Sequence, residues 1–279
     1  MRKYNPILCA GLSLALFFSC HSGTNVENQG VHIDYTDSGK GDTALVFVHG
    51  WCINKTYWSG QIDHFKDRYR VVTVDLPGFG ESGKNRTEWT PEAYGADVDS
   101  VLSKLDLKHA VLIGHSMAGD IVVNAAINAP GRVIALVGVD NFKNIRPETE
   151  EQKNDDARTI VVMKEGFVRA VSSYFQEDLF SATTTDTLKK RILTDAENCD
   201  SAIAINVLAH LTSNETPSLN AYGKKLYLIS SDVTTTDTAA LSAAHVPYEL
   251  FFVHGTGHFP MVEKPAEFNA QLDAVMAKL

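Results

Sequence analysis

Cysteine is scarce: four occur in 279 residues, and two of them, Cys9 and Cys20, fall within the first twenty. The other two, Cys52 and Cys199, cannot make a disulfide framework, and their surroundings read as different subregions, so two separate buried thiols are expected. No pair of Cys or His stands at zinc-ligand spacing, and no metal or organic cofactor is implied. Positive charge is also short, with 25 Lys and Arg against 34 Asp and Glu and a net charge of -9. So acidic a surface repels phosphate backbones, which argues against nucleic acid as a partner. Charged residues are only 21% of the chain, and 19 Gly and 9 Pro are ordinary usage, which excludes disordered and collagen-like chains. Hydrophobic residues, at 44%, suffice for one large α/β domain or two modest ones.

The start of the chain reads as a leader. Arg2 and Lys3 precede an apolar run from Ile7 to Phe18, too short to span a bilayer as a mature helix, and Ser19-Cys20 precedes the polar His21-Ser22-Gly23. Cys20 behind a small residue resembles the lipobox of bacterial lipoproteins, although Phe17 stands where such boxes usually carry Leu. The resemblance implies a signal peptide over 1–19, lipidation of Cys20 and a linker over 20–30 that tethers an exported domain in the cell envelope, facing the periplasm. Membrane contact would then come only through the anchor. Plain secretion and an uncleaved anchor are the alternatives.

From Val31 onward, short β-branched runs alternate with helical patterns. Ala44–Val48, Arg70–Val74, Ala110–Ile113 and Val133–Val137 are continuous apolar runs, as strands buried on both faces of a parallel sheet are. Helices are predicted over Tyr57–Lys66, Pro91–Leu105 and Ala118–Asn128, and strands return at Lys225–Ile229 and Tyr248–Val253. The repeating β-turn-α unit predicts a doubly wound, mostly parallel α/β sheet. Residues 141–222 break the rhythm. Their apolar residues recur at helical spacing (Ile160, Met163, Phe167, Val171, Phe175), too long a stretch for a loop. They read as a helical lid inserted into a core made of 31–140 and 223–279, with a second independent domain as the alternative.

The most informative segment is Val111-Leu112-Ile113-Gly114-His115-Ser116-Met117-Ala118-Gly119. A buried strand ends on a serine flanked two residues away on each side by Gly114 and Ala118, and a helix follows. A nucleophile on a strained strand-to-helix turn has no room for larger side chains at those positions. A helix-capping serine is the bland alternative. A serine hydroxyl needs a base, and His258, behind the Gly255-Thr256-Gly257 turn, is the candidate, with His254 as its rival.

With Phe47-Val48-His49-Gly50-Trp51, Asp75-Leu76-Pro77-Gly78-Phe79-Gly80-Glu81-Ser82 and Gly257-His258-Phe259-Pro260, the chain resembles the α/β-hydrolase superfamily, in its serine-nucleophile, lid-containing branch, over nearly all of 31–279. The resemblance implies Ser116 as nucleophile, His258 as base and the backbone N–H groups of Trp51 and Met117 as the oxyanion hole. It places Cys52, His115 and Phe142 around the substrate pocket, gives His49 a loop-ordering role, and leaves Asp75 to Ser82 structural. Two acids are open for the triad. Asp140 ends the strand before the lid, whereas Asp232 lies near the usual position after the next strand, where Val233 occupies the expected site. Both keep the order Ser, acid, His. The implied function is hydrolysis of a small or medium carboxylic ester through an acyl-enzyme. An aminopeptidase, an amidase or a carbon-carbon bond hydrolase of the same fold is the alternative, and an inactive binding protein on this scaffold is another. Nothing in the sequence bears on oligomeric state.

Overall fold

The computed structural model describes residues 24–211 and 214–279. The leader and Cys20 lie outside the described residues. Eight strands form one sheet: β1 (Thr24–Asn28), β2 (Val31–Asp37), β3 (Ala44–Val48), β4 (Arg70–Val74), β5 (Ala110–His115), β6 (Val133–Val139), β7 (Leu226–Ser230) and β8 (Tyr248–Phe252). Their order is β1-β2-β4-β3-β5-β6-β7-β8; β2 runs antiparallel to both β1 and β4, and every other pairing is parallel. The all-buried run of β3 and the all-buried β5 and β7 occupy the sheet interior, as continuous apolar strands must.

One expectation fails at the edge. Part of the predicted linker 20–30 is β1, paired antiparallel with β2 through a two-residue turn in which Gln29 and Gly30 both have positive φ, +50 and +78. That is the twist-matched hairpin turn, and it lets a polar strand form where the composition suggested a tether.

Helices follow the strands. A 3-10 turn at Lys55–Trp58 leads into α1 (Ser59–Phe65); α2 (Pro91–Lys104) starts on the Thr90 cap, and α3 is Ala118–Asn128. Between β6 and β7 come α4 (Glu150–Glu165), α5 (Phe167–Tyr174), a π turn at Phe175–Leu179, α6 (Asp186–Glu197), α7 (Ser201–Leu208) and α8 (Thr216–Tyr222). The chain ends with α9 (Thr238–Ala243), α10 (Pro260–Glu263) and α11 (Pro265–Met276). α2, α3 and α8 pack as one layer, and α1, α10 and α11 as another.

Aromatic packing helps to fasten the inserted helices α4 to α7 to the core. Met163, Phe167, Val171 and Phe175 are buried, while Tyr174 stays partly exposed. The Trp51 ring meets Phe167, Tyr174 and Phe175 at 6.3, 6.3 and 6.1 Å between centroids, and its Nε1–H donates to the Ala204 carbonyl at 2.9 Å. The tryptophan beside the nucleophile turn thus seats the insertion above the sheet. Among the described residues no helix is long and apolar enough to cross a membrane.

Candidate active site

Ser116 lies between the end of β5 and the start of α3 with φ at +54, a left-handed conformation that costs a serine energy. Its N–H donates to the Val139 carbonyl at 3.0 Å, and its carbonyl accepts from Gly119 N–H at 2.9 Å, so both neighbouring elements hold the strained turn. A Cβ placed on Gly114 would collide with the Ala118 carbonyl, which gives the small-residue requirement its steric cause. Among the described residues the Ser116 hydroxyl makes no hydrogen bond, and neither does the backbone N–H of Trp51 or Met117. Two unpaired donors thus flank a free hydroxyl.

His258 sits in the loop after β8, and four groups fix it. Its N–H donates to the Leu179 carbonyl at 2.8 Å; its carbonyl accepts from His115 Nε2–H at 2.7 Å. The Glu263 carboxylate accepts from Gly257 N–H at 3.0 Å and Phe259 N–H at 3.2 Å, one on each side of the histidine. On the ring, Nδ1–H donates to Asp140 Oδ2 at 2.6 Å, which leaves Nε2 as the unprotonated nitrogen of the neutral imidazole. His258 and Ser116 border the same small cavity of about 50 Å³.

Asp140 directly follows β6 and is buried, with Oδ1 accepting from Ser231 N–H at 2.8 Å and pairing with Lys143 Nζ at 2.7 Å. Burial alone would raise its carboxyl; the hydrogen bond and charge of His258, joined by the Lys143 ammonium, outweigh burial and hold it well below the usual carboxylate range. Asp232 is elsewhere: it is exposed, accepts from His254 Nδ1–H at 2.9 Å and from Gly255 N–H at 2.6 Å. The two rival candidates, Asp232 and His254, therefore pair with each other on the surface.

His49 keeps to the loop. Its Nε2 accepts from Leu76 N–H at 3.0 Å and its Nδ1–H donates to the Gly50 carbonyl at 2.8 Å. Asp75 closes the turn that follows β4, accepting from Lys55 N–H at 2.7 Å and Glu81 N–H at 2.9 Å.

The three pocket residues expected from the sequence part company. Phe142 lines a cavity of about 220 Å³ that opens beside Ser116, together with Met117, Leu211, Asp120, Lys143 and Glu215. His115 is buried, and burial followed by the neighbouring His258 pushes it down to about 3, so it stays neutral and holds the His258 carbonyl. Cys52 borders neither cavity. Its thiol is buried beside Cys199, and burial, then that neighbour, push it up. Both cysteines are free thiols, as the sequence led one to expect, but they are neighbours and Cys199 is only half-buried: the Trp51–Ala204 hydrogen bond docks α7 onto the turn after β3, and the α6–α7 corner with Cys199 comes down beside Cys52.

Lys143, Glu215 and Asp120 were not singled out in the sequence. Glu215 and Asp120 face the larger cavity without an ion-pair partner among the described residues; the Ser218 hydroxyl donates to Asp120 at 2.9 Å, and Glu215 is relieved only by its own backbone N–H. Burial first, then mutual repulsion, pushes Glu215 up to about 8. Among the described residues no group of three His, Cys, Asp or Glu is arranged to hold a metal.

A doubly wound sheet with a strained serine turn at one strand end, beside a hydrogen-bonded histidine and aspartate, defines the α/β-hydrolase class. The sequence model of the alpha/beta hydrolase fold matches residues 43–265, and the chain belongs to that family. It is 26% identical over 247 residues to a pimeloyl-[acyl-carrier protein] methyl ester esterase of Yersinia enterocolitica, covering 83% of this chain and 92% of the relative. It is 24% identical over 254 residues to the dihydrolipoyllysine-residue acetyltransferase component of the acetoin cleaving system of Cupriavidus necator, covering 87% of this chain. The chain spans only 66% of that relative's length. Among solved structures, an esterase from Exiguobacterium antarcticum superposes with a TM-score of 0.80 at 19% identity over 91% of this chain and 99% of the other, a likeness of fold.

Proposed function

We propose that this chain hydrolyses small or medium carboxylic esters through an acyl-enzyme on Ser116. The observation that carries the proposal is the 2.6 Å bond from His258 Nδ1–H to buried Asp140, which leaves Nε2 free at the cavity that Ser116 also borders. Ser116 Oγ attacks the acyl carbon while Nε2 takes its proton, and Asp140 holds the ring and stabilises the imidazolium. The Trp51 and Met117 N–H groups donate to the oxyanion. As the tetrahedral intermediate collapses, the alkoxide leaves with the proton from Nε2. Water then gives a proton to Nε2 and attacks the acyl carbon; the bond from that carbon to Ser116 Oγ breaks, Oγ takes the proton back from Nε2, and the acid leaves. The esterase named among the curated relatives supports this chemistry.

A second substrate reading has its own observation. Asp120 and Glu215 line the 220 Å³ cavity, whose one lysine, Lys143, is paired with Asp140 instead of with them, a lining suited to an amine-bearing acyl group, as an aminopeptidase or amidase would need. A p-nitrophenyl ester series measured beside amino-acid p-nitroanilides separates the two.

A fluorophosphonate should label Ser116 in the folded chain, and the label should vanish in Ser116→Ala. A folded chain that resists labelling would instead be a binding protein on a hydrolase scaffold. Export with Cys20 as a lipidated N-terminus is proposed alongside, and metabolic labelling with a radioactive fatty acid, lost in Cys20→Ser, tests it.

A further inference from the structure

Asp140 and Phe142 both have left-handed backbones, with φ at +50 and +52, a conformation that costs a non-glycine residue energy. The turn that carries the acid is thus strained and needs external support. The loop after β7 supplies it: Ser231 N–H donates to Asp140 Oδ1 at 2.8 Å and Asp237 N–H donates to the Lys143 carbonyl at 2.7 Å. Lys143 completes the clamp. Its ammonium donates to the Thr234 carbonyl at 2.9 Å and pairs with Asp140 Oδ1 at 2.7 Å. With its side chain only 14% exposed, the ion pair is poorly screened by solvent.

Resting on Ser116, His258 and Asp140 as the reacting set, we propose that Lys143 is a positioning residue that fixes the Asp140 carboxylate toward His258 and sets the pH at which the base protonates. Asp140 divides its oxygens: Oδ2 takes the His258 proton donor, and Oδ1 takes Ser231 and Lys143. The ammonium therefore offsets part of the negative potential that Asp140 exerts on the imidazole.

Other charged and titratable groups around the pair do not substitute for it. His115, from β5, is neutral and donates to the His258 carbonyl. His49, after β3, is buried and donates to a carbonyl, with burial lowering its affinity for a proton. Glu263, from α10, is occupied by Gly257 N–H, Phe259 N–H and the Thr184 hydroxyl, while Asp232, after β7, is engaged with His254. Among these groups Lys143 alone is a fixed cation.

Removing the ammonium makes protonation of the base easier, so the acidic limb of the pH profile moves to higher pH. A single charge acting through its neighbour in a partly buried site predicts a displacement of about 0.5–1 pH unit. The experiment uses the full chain and two readouts against pH: kcat/KM for p-nitrophenyl butyrate and the rate of Ser116 labelling by a fluorophosphonate. Lys143→Met and Lys143→Gln should both show the displaced limb, with kcat about tenfold lower, and Lys143→Arg should return the limb to its wild-type place. A folded Met or Gln variant whose limb stays put overturns the proposal. So does failure of both to fold while wild type does, because the residue would then be structural. Wild type that is never labelled at any pH refutes the serine-hydrolase reading itself, a different result from an unmoved limb.

Discussion

Replacing Glu215 by glutamine should stabilise the fold at alkaline pH and change little near pH 5. Glu215 stands just before α8 with no side-chain capping bond, facing the cavity beside Ser116 with Asp120 across from it. Burial, then the charges of Asp120 and Glu148, lifts its carboxyl from the ordinary 4.5 to about 8. Between those pH values the folded chain keeps a proton that the unfolded chain releases. Stability from this group is therefore fully present below 4.5 and is lost as pH rises through about 8. At about 1.4 kcal/mol per pH unit the gap sets a ceiling of about 5 kcal/mol, and water entering an open cavity reduces the realised effect to about 2 kcal/mol. Glutamine imitates the protonated acid at every pH. Thermal unfolding followed by circular dichroism from pH 5 to 9 should show near-equal Tm values at the acidic end and a variant about 4–8 °C higher at pH 9. A Tm difference that does not grow with pH, or a variant less stable at pH 9, would show the carboxylate is ionised and satisfied, and the argument from burial would fall.

Asp140→Asn should lower kcat/KM on a p-nitrophenyl ester by about 10³–10⁴-fold, the usual consequence of losing the carboxylate behind a catalytic histidine, while Asp232→Asn stays within about twofold of wild type. The reverse pattern would move the acid to the loop after β7. Glu263→Gln removes one of the acceptors that hold Gly257, Phe259 and Thr184, so it should cost about 1–2 kcal/mol of stability and about tenfold in kcat with KM little changed; an unaltered kcat in steady-state assays would refute a role in fixing His258. Iodoacetamide on the native chain should modify half-buried Cys199 before Cys52, whose thiol is buried and pushed up; peptide mapping that finds Cys52 modified first would contradict the packing of α7 on the turn after β3.

Much of this fold could be read locally. The buried strands announce themselves as continuous β-branched runs, and Gly114 and Ala118 around Ser116 report a clash that any homologous backbone would suffer. What could not be read depends on distance in space. Whether Asp140 or Asp232 reaches His258 is decided by β6 and β7 lying side by side, so that both acids emerge at one sheet edge and only the loop conformations choose between them. Asp232 loses because Gly255 N–H and His254 draw it outward. Cys52 and Cys199 are 147 positions apart, and nothing in their neighbourhoods signals that a tryptophan bond brings them together. Glu215 was one acid among many until the cavity isolated it. β1 escaped notice because an edge strand need not be apolar.

The fastening of the insertion to the His258 loop limits how the site can open. His258 N–H is held by the Leu179 carbonyl at 2.8 Å, the Thr183 hydroxyl donates to the Gly255 carbonyl at 2.8 Å, and the Thr184 hydroxyl donates to Glu263 at 2.7 Å. Swinging the insertion away at this corner would break all three bonds, at about 0.5–1.5 kcal/mol each, and would release the backbone that aims the imidazole. The segment 179–184 therefore behaves as a strap across the base and not as a gate. The cavity bordered by Phe142, Leu211 and Glu215 gives Ser116 an opening that residues 179–184 do not line, and a group bound there lies beside Asp120 and Glu215. At neutral pH such a group meets Glu215 in its protonated form, because burial lifts that carboxyl to about 8, and the charge it meets changes as the pH passes that value.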